Sequence, residues 1–62
     1  MKQNHYIVTF GNGKTVFASG FNAEEAEILA QAVMIKSGLS YEIEDVKRTS
    51  NLSDMADTDF VA

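Results

Sequence analysis

The chain has 62 residues, nine of them acidic and five basic, with a formal net charge of −4 and no cysteine. A chain this short forms one domain at most and buries only ~60% of its unfolded surface, so it needs a staple. Missing cysteines exclude disulfides and thiolate metal sites, and the lone His5 would need carboxylate partners to hold a metal, which leaves another chain as the staple.

"HYIVTF" (5–10) is rich in β-branched and aromatic residues and predicts a strand, and "TVFASG" (15–20) predicts a second. Asn12-Gly13 between them is a strong hairpin signal, because a two-residue type I′ turn needs positive φ at both central positions. With those two at the tip, Phe10 faces Thr15, Val8 faces Phe17 and Tyr6 faces Ser19, all six on one face. Ile7, Thr9, Val16 and Ala18 take the other.

Residues 23–39, "AEEAEILAQAVMIKSGL", predict a helix. Asn22 is a favoured N-cap, Glu24, Glu25 and Glu27 complement the positive end of the macrodipole, and Gly38 suits the left-handed position after the last turn. On a wheel of ~100° per residue the apolar arc covers roughly 260°, more than a small sheet can bury. One edge carries Ile28 and Ile35, and the other carries Ala26 and Ala30. The expected arrangement puts Ile28, Leu29, Ala32 and Ile35 on the domain's own sheet. Ala26, Ala30, Val33 and Met34 then face a partner, where small side chains allow a second helix to approach. A two-fold axis through that face would bring Ala30 and Val33 of two copies together.

"YEIEDVKRT" (41–49) predicts a third strand. Val46 falls out of phase with Tyr41 and Ile43. Either a bulge at Glu44-Asp45 returns it to the Ile43 face, or it lies on the opposite face. The expected fold is α+β: a ββαβ domain over residues 1–49, with a three-stranded antiparallel sheet in the order 2-1-3 and the helix on one face. Residues 50–62, "SNLSDMADTDFVA", are poor in periodicity and rich in Ser and Asp, and read as a disordered acidic tail. Within it Asp57, Asp59 and Phe60 form an acid-plus-aromatic group of the kind that docks into a partner groove.

No spacing points to catalysis. "GNGK" lacks the spacing and following helix of a phosphate loop, and Asp54, Asp57 and Asp59 lack the pattern of a calcium loop. Only Lys47 and Arg48 are adjacent bases, beside Glu44 and Asp45, which disfavours direct nucleic-acid binding. An acidic nucleic-acid mimic is disfavoured because three of the four net negative charges lie in the tail and not on a rigid face. Met1 to Phe10 lacks the apolar core of a signal peptide, and no apolar run approaches the ~20 residues that span a bilayer. The expectation is a non-enzyme with no cofactor, no metal, no small-molecule substrate and no membrane contact, working as a homodimer, on another protein, or both.

The run from Tyr6 to Lys47, with its "NGKT" turn, "AEEA" helix start and closing strand, resembles small uncharacterised proteins encoded by tailed bacteriophages and prophages. The resemblance covers about two-thirds of the chain and its motifs are structural. It implies the cytoplasm of a bacterial host and a role in binding. That role is to inhibit or redirect a host protein or, alternatively, to serve as a structural or assembly part of a phage particle.

Overall fold

The computed structural model describes residues 3–39 and 41–62. Its elements are β1 (Asn4–Phe10), β2 (Thr15–Gly20), α1 (Ala23–Lys36), β3 (Ile43–Thr49), a 3-10 helix (Leu52–Asp57) and β4 (Phe60–Val61). They form one four-stranded mixed sheet in the order β3-β1-β2-β4. The expected 2-1-3 core is present and antiparallel, and β4 adds a parallel strand on the free edge of β2.

The hairpin forms where Asn12-Gly13 predicts it, but one residue out of the expected register. Thr9 pairs with Thr15, Val8 with Val16 and Ile7 with Phe17. The Phe10 carbonyl accepts from Gly13 N–H and the Lys14 carbonyl accepts from Phe10 N–H, each at 2.9 Å. Only Gly13 has positive φ, at 85°, so the loop has three residues: a common turn followed by a left-handed glycine, not the two-residue mirror turn. A one-residue slip sends every side chain of the second strand to the other face. Val16 and Ala18 therefore join Tyr6, Val8 and Phe10 in the main core, while Phe17 lies on the opposite face.

The helix begins and ends as its caps dictate. Asn22 Oδ1 accepts from Glu25 N–H at 2.8 Å. At the far end Leu39 N–H donates to the Met34 carbonyl at 2.9 Å and Gly38 N–H to the Ile35 carbonyl at 3.0 Å, with Gly38 at φ 77°. This is the Schellman closure, and it folds Leu39 back against the core. Asn22→Ala is expected to cost about 1 kcal/mol in a urea melt, because no other side chain replaces the lost acceptor.

The helix is rotated relative to expectation. Ala26, Ala30 and Met34 are fully buried in the domain's own core, whereas Ile28, Leu29, Ala32 and Ile35 face outward. Ala26, Ala30 and Met34 are therefore unable to form a partner interface, and Val33 is half-buried against the same core. The sheet explains the rotation. Tyr6, Val8, Phe10 and Val16 supply the bulk from below, so small helix residues are needed to bring the two layers into contact.

Strand β3 begins two residues later than expected and contains the bulge. Thr9 pairs with Asp45 and Phe10 with Ile43, which leaves Glu44 unmatched. Ile43 and Val46 consequently both pack toward the helix side.

Residues 50–62 are not a disordered tail. The 3-10 helix is capped by Asn51, whose Oδ1 accepts from Ser53 N–H at 3.1 Å, and it is tied back by a Thr49 Oγ1 to Asp54 Oδ2 bond of 2.6 Å. Asp59 then clips onto the start of β2. Its Oδ2 accepts from Thr15 N–H at 2.9 Å, and its own N–H donates to the Thr15 carbonyl at 3.0 Å. Ala62 N–H closes the ladder on the Phe17 carbonyl at 2.8 Å. This segment passes from the outer edge of β3 to the outer edge of β2, in the opposite sense to the β2-α1-β3 connection. Two crossovers of the same hand that run in opposite directions lie on opposite faces of a sheet. With the right-handed sense that such crossovers take, residues 50–59 would pass over the face opposite the helix. There Phe17 is only 2% exposed, and its ring stacks on His5 with centroids 5.5 Å apart.

Candidate functional site

The outward helix face carries the two most exposed large hydrophobic side chains among the described residues. Ile28 is 61% exposed, Ile35 69% and Leu29 40%. Residues 28, 32 and 35 follow i, i+4, i+7 spacing, so they form one stripe down the middle of the exposed surface, with Ala32 as a low point between two isoleucines. Glu25 and Lys36 flank the stripe near its two ends, and Leu29 lies on the same flank.

Tyr41, half exposed, adds to the patch beyond the C-terminal end of the helix. Between them lies a half-open groove of about 150 Å³, lined by Phe10, Gln31, Met34, Ile35, Leu39 and Tyr41. The Schellman closure builds it. By turning the chain back at Gly38, it sets Leu39 beside Met34 and leaves a recess on the flank of Ile35. Apart from the Tyr41 hydroxyl, the lining has no titratable group.

A second hollow, about 330 Å³, lies at the other end of the sheet between the start of β1 and the end of β3, with His5, Arg48, Ser50 and Leu52 on its walls. It is polar but committed: Arg48 Nη2 donates to Asn4 Oδ1 at 2.9 Å. Sequence spacing suggests no partner for His5, and the fold supplies one, with Nδ1 lying 2.7 Å from Ser19 Oγ. That is the distance of a nucleophile and its base. Among the described residues, however, no carboxylate hydrogen-bonds to the ring, and the imidazole is stacked on Phe17. Its contacts are those of a side chain that covers the core.

The proposed docking group of the tail is taken apart by the fold. Asp59 is spent on Thr15 and lies 4.0 Å from Lys14 Nζ, while Phe60 packs against the main core beside its strand partner Val16. Asp57 is exposed at the end of the 3-10 helix, apart from them. Among the described residues no cluster of three or more His, Asp or Glu side chains is placed to hold a metal ion, and no helix is long and apolar enough to cross a membrane.

No family model, curated protein or solved structure matches this chain.

The sequence expectation turns Ala26, Ala30 and Met34 outward, whereas the structure buries them and turns Ile28, Leu29 and Ile35 to solvent. Size alone would place Ile28, Leu29 and Ile35 inward. A signal for the opposite choice lies in the strands: the aromatic residues Tyr6 and Phe10, with Val8 and Val16, already fill the space that large inward helix residues would need.

Proposed function

We propose that the protein is a non-catalytic protein–protein interaction module whose contact face is the outer surface of α1, completed by the groove beside Ile35 and Tyr41. The observation that carries this reading is the stripe Ile28-Ala32-Ile35 with Leu29 beside it: large aliphatic side chains gathered in water on a rigid, well-capped helix. Scattered exposed apolar residues are ordinary, but a contiguous patch next to a recess marks a binding surface. The largely untitratable lining of the groove supports a binding role over a catalytic one. The resemblance to tailed-phage proteins supports a setting inside a bacterial host cell, with a host protein as target.

Ile35→Glu tests the contact face. The side chain is exposed, so the fold should survive with a stability change within about 0.5 kcal/mol, while binding through the stripe should be lost. The tagged protein is exposed to bacterial lysate as wild type, as Ile35→Glu, and as Glu44→Lys, a charge change on the β3 bulge away from the stripe. A protein retained stoichiometrically by wild type and Glu44→Lys, and lost with Ile35→Glu, supports the module. Retention of virion components alone supports an assembly part instead. Capture that is indifferent to Ile35→Glu overturns this face as the contact surface.

A further inference from the structure

We infer that the occupant of the outer helix face is a second copy of this chain, packed antiparallel about a two-fold axis near the level of residues 30–32. The inference rests on the outer face being the contact surface, and it adds the partner's identity and orientation.

Charge placement selects the arrangement. On the ~100° wheel Glu25 and Lys36 lie on the same flank of the stripe, at opposite ends of the helix. A two-fold axis lying in the interface and perpendicular to the helix keeps each flank on its own side and reverses the direction along the axis. Glu25 of one copy then comes opposite Lys36 of the other, and the pairing occurs twice. A parallel dimer, with its axis along the helix, would swap the flanks, set Glu25 of one copy beside Glu24 of the other and leave Lys36 without an acidic partner. The antiparallel arrangement also opposes the two macrodipoles favourably. The steric features agree with this order. Ala32, the smallest residue of the stripe, sits at the crossing where backbones come closest. Ile28 of one copy meets Ile35 of the other, beside the 150 Å³ groove that a side chain can enter. Edge pairing offers less. β4 has two residues, and the outer edge of β3 is broken by its bulge and carries Glu44, Asp45, Lys47 and Arg48.

A 14-residue helix is ~21 Å long and ~10 Å across. The contact therefore falls below the ~800 Å² per partner of a standard interface, and the dimer should depend on concentration.

The test is sedimentation velocity on the full chain from about 1 to about 200 μM, a range that brackets micromolar association. Wild type should shift from monomer to dimer across it. Ile35→Glu should raise the dissociation constant at least about ten-fold, with its far-UV circular dichroism melt unchanged in dilute solution. Lys36→Glu and Glu25→Lys should each weaken the dimer roughly three-fold, as expected for two exposed ion pairs. The double variant Glu25→Lys/Lys36→Glu should regain wild-type association, which only the antiparallel pairing allows. A single monomer mass at every concentration overturns the homodimer, and the lysate assay then judges the contact face separately. A dimer indifferent to Ile35→Glu overturns both, and a double variant no better than the singles overturns the antiparallel order.

Discussion

Ala30→Glu is expected to unfold the chain. Ala30 is fully buried between the helix and β2, in a cluster made of Tyr6, Val8, Phe10, Val16, Ala18, Ala26 and Met34. Among the described residues no polar or charged side chain is buried, so a carboxylate there would find no partner. Its effective desolvation penalty is several kcal/mol, and the added atoms would overpack a site sized for a methyl group at a further ~1–3 kcal/mol. A 62-residue domain has about 3–9 kcal/mol in total, at 0.05–0.15 kcal/mol per residue. The variant should show no cooperative thermal transition by circular dichroism at any concentration. Ile28→Glu, two residues earlier on the same helix, should melt within a few degrees of wild type in dilute solution. If Ala30→Glu instead keeps a wild-type melt while the mass of the protein changes, the helix presents its alanine side outward and the packing described above is wrong.

The contrast between those two variants shows where the sequence is informative. Features fixed by a few neighbouring residues are readable: Asn22 and Gly38 at the helix ends and Asn12-Gly13 at the hairpin, while the out-of-phase Val46 leaves a bulge and an opposite-face placement both open. Features fixed by what lies opposite are not. A helix apolar around most of its circumference gives no preferred rotation. The choice was made by the volume of Tyr6, Phe10 and Val16, which belong to other elements. The hairpin register was set by whether Asn12 or only Gly13 adopts positive φ, and either hairpin type is compatible with "FGNGKT". The outer face of α1 was thus legible as a surplus of apolar residues, but its membership was not.

The same distinction explains residues 50–62. Their composition is that of a solvated tail, and their order comes from partners far away in the chain. Asp59 binds Thr15 across 44 positions, and Ala62 binds Phe17. The local signals present were modest: Asn51 capping Ser53, and Thr49 accepting from Asn51 N–H while donating to Asp54. They describe a turn without saying that it lies on a sheet. What demanded a cover was Phe17. The true register turns its large aromatic ring away from α1, to a face where only the His5 ring is seen stacked on it among the described residues.

Deleting residues 51–62 should therefore destabilise the domain. Truncation uncovers Phe17, whose burial contributes about 1.5–3 kcal/mol. It also removes the Asp59 and Ala62 bonds to β2, at about 0.5–1.5 kcal/mol each. The ordering entropy of the segment disappears with it, so the net loss is smaller than the sum, about 2–3 kcal/mol. For a domain of this size 1 kcal/mol corresponds to ~4–8 °C, so the melting temperature should fall by roughly 10–20 °C. The open edge of β2 and the bare ring beside it should also make the truncated protein prone to aggregate. Phe17→Ala in the full-length chain separates the contributions. It leaves the β4 ladder in place but removes what the segment covers, and should cost ~3–5 kcal/mol. Asp59→Ala, which loses only an exposed clip, should cost about 1 kcal/mol. Equal melting temperatures for the truncated and intact chains would mean that the segment does not dock on β2. Phe17 would then need another cover, and its ring would join Ile28 and Ile35 as apolar surface in search of a partner.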